Sequence, residues 1–596
     1  MLTTLRKCLR LLPPSSRRSY LLLVPLSLLT GLAEMGAAAG IFAIITVLTD
    51  PSRGLALGWI ASITRHLPWQ SQDALILQLT GLLAVFYIAR SVVILVAQYF
   101  RIRVAHAANA GLSCDMLRRY LSAAYPFHFG RNSSDLIRNC TTSVEQSLYV
   151  LAAVGGLVTD VLMALGMIVV LLATSPGLSL AAGVVLIAMV LVILRLTRRA
   201  ASRFGHGRHE LSASILRSLQ QALGGVKELK VLGRERFFSD EYAARQREAL
   251  LVRYLGATLD NVPAVAVQTA LVCGALGLVA ALTVAGQTGV QSLPIAAVFG
   301  YAGLRILPMA NGVVATLNHV RSSGPAVAEL YDDFVALAAT DDEPRADLPH
   351  VRFTESIELD AVSYTYPTAA RPAISDVSLT IRRGESIGII GRTGAGKSTL
   401  VDLILGLLPP STGRITVDGI DLSRTSTPWK RRVGYVPQAI YLVDDTLRRN
   451  IALGIRDADV DDERIRVALA AAQLHQFVAE LPDGLSTRVG ERGVRLSGGE
   501  RQRIAIARAL YHDPDLLIFD EATASLDVRT EADITRTINA LRSIKTIVVI
   551  AHRLSSVKSC DRLVWLDHGR VVDVGAFEDL QRRSADFKAL TGLGAI

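Results

Sequence analysis

The stretch Gly391-Arg392-Thr393-Gly394-Ala395-Gly396-Lys397-Ser398 carries the strongest chemical signal in the chain. Glycines at this spacing let successive backbone N–H groups converge on phosphate oxygens at a helix N-terminus, where the dipole favours anions. Lys397 is placed to reach the β- and γ-phosphates of a nucleotide, and the Ser398 hydroxyl to help hold Mg²⁺, with Thr399 next to it. A second signal is the apolar run Leu516-Leu517-Ile518-Phe519, which ends in Asp520 and Glu521. Asp520 suits a metal-orienting role, and Glu521 is placed to orient or deprotonate an attacking water. Leu496-Ser497-Gly498-Gly499-Glu500 opens a further helix whose backbone donors offer a second phosphate contact. His552 ends the strand-like run Thr546-Ile547-Val548-Val549-Ile550-Ala551. A lone histidine is more often structural, but its place in this series of strand ends reverses that reading.

These residues need elements to position them. Ile387-Gly388-Ile389-Ile390 reads as a strand before the glycine loop, and Thr399–Leu405 as a helix after it. Strand-like and helical runs alternate from Val351 onward, which predicts an α/β P-loop nucleotide-binding domain over 351–596. The acidic, proline-bearing stretch around Asp341-Asp342-Glu343-Pro344 predicts a linker over 339–350.

The first half is of another kind. The chain has 596 residues, enough for two or more domains, and is 51% hydrophobic. Six stretches before Arg321 are long enough to span a bilayer: Tyr20–Thr49, Ala74–Tyr99, Leu148–Ala173, Leu178–Leu196, Val262–Gly286 and Leu293–Asn318. They predict an α-helical polytopic membrane domain over 1–338. A cleavable leader is the competing reading of the first stretch, with Ala37-Ala38-Ala39 as its cleavage site, but the apolar run continues to Leu48. The net charge of +10 sits beside the apolar segments, which points to the positive-inside rule and away from nucleic acid. Basic residues crowd the N-terminal tail, 101–147 and 197–261, whereas Ser175-Pro176-Gly177 and Gln287–Ser292 carry no charge. Both termini are therefore expected in the cytoplasm. The long basic segments keep helical patterning, so their turns near Phe127–Asp135 and Gly224–Phe237 are expected to reach toward the nucleotide domain.

Outside the membrane, Asp50-Pro51 offers a helix cap, and Leu55, Trp59, Ile63 and Leu67 form an apolar stripe. The stripe fits either an interfacial helix or an ordinary packed loop helix. Within the spans, Glu34, Arg90, Asp160 and Arg305 are costly to bury and so point to function. Arg90 lies roughly 24 Å from the outer end of its span and Arg305 roughly 18 Å. Arg90 is close enough to snorkel to the inner head groups. Arg305 fits better in a water-filled cavity, and Asp160 equally suits a helix–helix contact.

Taken together, these motifs resemble the ABC transporter family, over essentially the whole chain. Leu496–Glu500 is similar to the family signature, with Glu500 where glutamine is usual. Gln438, in Tyr435-Val436-Pro437-Gln438, is similar to the Q-loop residue that contacts the metal and senses the γ-phosphate. Ser525-Leu526-Asp527 resembles the D-loop, His552 the switch histidine, and Tyr366 the aromatic that stacks on adenine. The resemblance implies ATP and Mg²⁺ as cofactors and an exporter-type half-transporter. It also implies a homodimer in which ATP lies between the P-loop of one copy and Ser497–Gly499 of the other.

Shorter membrane stretches resemble the lipid-linked oligosaccharide flippases: Leu32-Ala33-Glu34, Val85-Phe86-Tyr87-Ile88-Ala89-Arg90, and Leu304-Arg305-Ile306-Leu307-Pro308-Met309-Ala310-Asn311. Arginines in a cavity suit a pyrophosphate head group. Ala264 departs from this pattern, standing where such proteins can carry a further arginine. The expected activity is ATP-driven flipping of a polyprenyl-pyrophosphate-linked oligosaccharide from the inner to the outer leaflet of the plasma membrane. The alternatives are export of another lipid, peptide or drug, and an ATP-gated channel or regulator on the same scaffold.

Overall fold

The computed structural model describes residues 2–49, 55, 58–69, 71–174, 176–284, 293–339, 352–367, 369–521, 528–542, 544–551 and 554–592. Asp50-Pro51, Gln287–Ser292, the linker over 340–350, Ser525-Leu526-Asp527 and His552 lie outside them. The chain forms two compact units: 1–123 with 130–342, and 343–596 together with Ala124–Phe129.

Among its described residues the first unit is built of helices. Its elements are α1 (Leu2–Leu11), α2 (Pro14–Thr49), α3 (Gly58–Thr64), α4 (Gln72–Ser122), α5 (Ser133–Arg138), α6 (Val144–Thr174), α7 (Pro176–Gly224), α8 (Val226–Leu232), α9 (Glu235–Val284), α10 (Leu293–Ser322) and α11 (Gly324–Ala339). Among the described residues, Ser16–Leu48, Gln72–Ser122 and Ser133–Val169 are long and apolar enough to cross a bilayer. The other three expected spans fall in α7, α9 and α10, where many side chains lie outside the description. Helix α4 has 51 residues and so runs for about 76 Å, more than twice the hydrocarbon thickness. Its second half carries Arg101, Arg103, Asp115, Arg118 and Arg119, so the apolar part spans and the charged part projects beyond.

Small residues set the packing of the first hairpin. Gly36 and Gly40 lie one turn apart on α2, and a Cβ there would come within 2.8 Å of Phe86 and 2.5 Å of Leu83 on α4. Lipid supplies no hydrophobic drive between helices, so this close approach is what lets dispersion hold them together. The residues that a leader would offer for cleavage, Ala37–Ala39, are here the interior of one continuous helix. At one end of the hairpin, α3 turns Ile60 into a cluster with Ala43, Val47, Leu75 and Leu79, against which Leu55 and Leu67 also pack. Ile63, expected on the same stripe, stays 40% exposed.

A buried polar network ties the other end of this unit. Asp333 on α11 accepts from Tyr120 Oη at 2.7 Å, Asn139 Nδ2 at 3.1 Å and Arg131 Nη1 at 2.5 Å. Asn139 opens a single π-helical turn, Asn139–Ser143, and accepts from Ser143 Oγ at 3.0 Å. The wider turn carries Asn139 into the network, a typical use of a π-bulge. Asp333→Ala would strand these donors. We expect a loss of about 2–3 kcal/mol, below a fully buried broken ion pair because Arg131 is partly exposed. Thermal unfolding in detergent, with Asp333→Asn showing a smaller loss, checks this.

The second unit has two sheets. Strands β1 (Ser356–Tyr364), β2 (Ile374–Arg382), β4 (Thr412–Val417) and β5 (Ile420–Asp421) form an antiparallel sheet in the order β2-β1-β4-β5. Strands β3 (Ser386–Ile390), β6 (Val433–Val436), β7 (Leu516–Asp520), β8 (Thr546–Ile550), β9 (Arg562–Asp567) and β10 (Arg570–Gly575) form the other, in the order β10-β9-β3-β8-β7-β6. Neighbours from β9 to β6 are parallel, and β3, β7 and β8 are almost wholly buried apolar runs, as a sheet covered on both faces requires. The 3₁₀ turn Tyr125–His128, far away in sequence, belongs to this unit, and Phe129 packs against its core.

Candidate nucleotide site

The site forms where the parallel strands end. Helix α12 (Lys397–Ile404) follows the glycine loop that leaves β3, and Gly396 caps it with φ +101°. A Cβ at Gly396 would stand 2.7 Å from the Ala373 carbonyl oxygen. Both the conformation and the space therefore require glycine there. Lys397 is buried and its Nζ donates to the carbonyls of Gly391 at 2.6 Å and Arg392 at 3.4 Å. The ammonium thus curls back over the loop that a triphosphate would fill. Burial lowers its pKa, while the charges of Glu521 and Asp520 oppose that shift. Arg392, Thr393, Gly394 and Ser398 are exposed, Ala395 and Thr399 are buried, and Thr399 Oγ1 lies 3.1 Å from Tyr366 Oη. Tyr366 also meets Tyr364 and Phe129 edge-on, with centroids 5.0 and 5.4 Å away.

The two acids close β7 next door. Asp520 Oδ2 accepts from Tyr435 Oη at 3.0 Å, and Glu521 Oε2 accepts a short bond from Gln438 Nε2. Gln438 follows the end of β6, the parallel neighbour of β7, so strand pairing brings these groups together across 83 residues. Glu521 adopts φ +49°, uncommon for a side chain of its size, and its N–H donates to Ile550 O at 3.0 Å. Thus Lys397, Asp520, Glu521 and Gln438 share one sheet edge, whereas His552 lies outside the described residues. Ser497 caps α13 (Gly498–Tyr511), and Glu500 completes a capping box by accepting from Ser497 N at 2.7 Å. The acid in place of the usual glutamine therefore has a structural partner. Among the described residues no hydrogen bond joins Ser497, Gly498 or Gly499 to the P-loop of the same chain.

The membrane unit treats its charges differently. Arg90 on α4 forms an ion pair with Glu34 on α2, each side chain only 10% exposed, and its guanidinium lies 5.2 Å from the Tyr87 ring centroid. Arg305 sits on α10, and its side chain lies outside the description.

Comparison with known proteins gives the family. Residues 374–524 match the ABC transporter family and residues 37–292 the ABC transporter transmembrane region. An ATP-dependent lipid A-core flippase of Ralstonia nicotianae is 32% identical over 506 residues, 83% of either chain. This chain belongs to the ABC transporter family. A lipid A-core flippase of Xanthomonas axonopodis pv. citri is 28% identical over 581 residues, covering 97% of this chain and 95% of that one. The solved structure of a bacterial Atm1-family ABC exporter with ATP bound has the same fold, with a TM-score of 0.80, 24% identity, and coverage of 97% and 98%. The protein is thus an exporter-type half-transporter, a multi-pass membrane protein that binds ATP and couples its hydrolysis to translocation.

Two participants carried no signal in the sequence of this ABC transporter. Tyr435 was visible only as a neighbour of Gln438, because its bond to Asp520 depends on the β6–β7 register. Asp402, one turn after Ser398 on α12, is pushed up to about 6 by burial and by the charge of Asp520. The folded state therefore holds this proton between roughly pH 4 and pH 6 while the unfolded chain has released it, so stability falls as pH rises through that window. Asp402→Asn should remove that dependence. Its melting temperature should match wild type near pH 4 and exceed it progressively up to pH 6, as read by scanning fluorimetry.

Proposed function

We propose that the protein flips a lipid-anchored, phosphate-bearing saccharide from the inner to the outer leaflet of the plasma membrane. Both termini and the nucleotide domain then lie in the cytoplasm. The polyprenyl-pyrophosphate-linked oligosaccharide expected from the membrane stretches is the specific candidate. The observation that supports a lipid substrate most is the run of relatives named lipid A-core flippases, whose similarity extends over the membrane half as well as the nucleotide domain. Arg90 and Arg305 on two different helices support an anionic head group. Export of another lipid, a peptide or a drug is the competing outcome.

The assembly proposed is a homodimer. A twofold axis would bring Ser497, Gly498 and Gly499 of one copy to the P-loop of the other, and cyclic dimers are the commonest closed assemblies. Tyr366 would stack on adenine, and Gly391–Thr399 would cradle the phosphates, with Lys397 exchanging its loop carbonyls for phosphate oxygens. Ser398, Asp520 and Gln438 offer hard oxygen donors of the kind Mg²⁺ takes, and the ion would neutralise charge between the β- and γ-phosphates. Gln438 holds Glu521 by its carboxylate, a contact suited to positioning the base and to feeling the γ-phosphate. His552 would complete the ring of polar groups. Swinging a membrane unit from 1:99 to 99:1 between two forms needs about 5.5 kcal/mol of differential binding, which two shared ATP molecules are suited to supply.

Glu521→Gln should retain ATP binding, trap a closed dimer and lower turnover at least about 100-fold, the scale of a lost general base. Steady ATP hydrolysis at the wild-type rate would remove Glu521 from that role. Translocation itself is tested in proteoliposomes, with a polyprenyl-pyrophosphate oligosaccharide, lipid A-core, a peptide and a drug dye offered in turn. Arg305→Ala should reduce glycolipid translocation about tenfold or more, the worth of one charged hydrogen-bond partner. Efflux of peptide or dye with no glycolipid movement would replace the proposed substrate class.

A further inference from the structure

A second arginine on α4 lies within electrostatic reach of a carboxylate on another helix. Arg90 and Arg101 lie eleven residues apart on α4, three turns, and so share a face. Arg90 is held by Glu34 of α2. The charge of Arg101 acts on Asp160 of α6, and its Nη1 lies 3.8 Å from where a Cβ of Gly156 would stand. Asp160 in turn presses Oδ2 to within 2.4 Å of the Cβ position of Gly312 on α10, two turns after Arg305. Of these two cations, Arg90 is ion-paired across helices, whereas Arg101 acts on Asp160 only through the field of its charge. A pure packing staple would need neither charge, because Gly36 and Gly40 already bring α2 and α4 into close contact and an apolar pair is at least as stable in a bundle interior.

We propose that Glu34 is a specificity-determining counter-ion that holds Arg90 while the transporter is empty and yields it to the phosphate of an incoming lipid. An uncompensated arginine in the bundle is costly, so Arg90 requires an anion in both states. A phosphate can take its place, because it meets guanidinium through two parallel charge-assisted hydrogen bonds. An uncharged lipid offers Arg90 nothing in exchange and leaves the pair closed. The carboxylate thereby sets a threshold that only an anionic head group crosses. This inference rests on the phosphate-bearing lipid proposed above and adds the residue that enforces the choice.

The test uses the full-length protein in nanodiscs of zwitterionic lipid, with ATPase stimulation titrated by undecaprenyl pyrophosphate and, separately, by uncharged undecaprenol. Glu34→Gln removes the competitor, so its half-maximal concentration for the pyrophosphate should fall about tenfold or more while its response to the alcohol stays at the wild-type level. The neutral double variant Glu34→Gln with Arg90→Gln removes both members of the pair and should distinguish the two lipids less well than wild type, with Arg305 supplying the discrimination that remains. An unchanged half-maximal concentration in Glu34→Gln, equal shifts for both lipids, or wild-type discrimination in the double variant would each overturn the counter-ion role alone. A wild-type protein that responds equally to both lipids would overturn the phosphate-lipid reading and this inference with it. Should Glu34→Gln fail to fold, Glu34→Asp, which keeps the charge but shortens its reach, takes its place: its half-maximal concentration for the pyrophosphate should fall below wild type, and an unchanged value would overturn the counter-ion role.

Discussion

The carboxyl ends of parallel strands meet along one edge of a sheet, and the chemistry of this transporter depends on that convergence. Strand β3 delivers the glycine loop, β6 delivers Tyr435 and Gln438, and β7 delivers Asp520 and Glu521. Parallel order requires crossover connections, which is why the acids follow the loop by more than a hundred residues and yet share its charges. The same edge explains the strained points. Gly396 and Glu521 both hold positive φ, the first where the glycine loop enters α12 and the second where β7 ends. Backbone of this kind persists only where buried neighbours hold it, and β3, β7 and β8 supply them.

A related constraint governs the membrane unit, where charge cannot be left alone. The nucleotide site concentrates two acids beside a lysine. The helices instead disperse their charges, with Glu34 paired to Arg90 and Asp160 within the field of Arg101. At the end of this unit nearest the linker a third arrangement appears, in which Asp333 collects Tyr120, Asn139 and Arg131 and so binds α11 to α4 and to the π-turn before α6. Helix α11 is the last element before the linker, so this network anchors the segment through which the two units are joined.

Much of this was legible from residue order because the determinants are local. A glycine loop between a strand and a helix, an apolar strand ending in two acids, and long apolar runs divided by basic segments are short-range patterns. They lead to a P-loop domain and a polytopic helical domain without knowledge of any contact. The capping box at Ser497–Glu500 is also local, three residues from end to end, although its acid looked like a departure until its bond to Ser497 N was seen. The outer helix was legible in existence but less so in its buried face. Ile60 enters the cluster and Ile63 does not, because the direction from which α2 and α4 approach decides which side is covered.

The amino-acid sequence by itself determined the fold class, the nucleotide chemistry and the presence of expensive charges in the membrane, since each follows from composition or from spacing within one element. Tertiary structure decided which groups act on one another. It placed Gln438 on Glu521 and Tyr435 on Asp520, raised the pKa of Asp402, and set Glu34 against Arg90. Strand register and helix approach are long-range quantities, fixed by the packing of distant residues, and electrostatic energies vary steeply with the distances they set. Arg90 therefore entered as a lone cation, and the fold made it half of a pair.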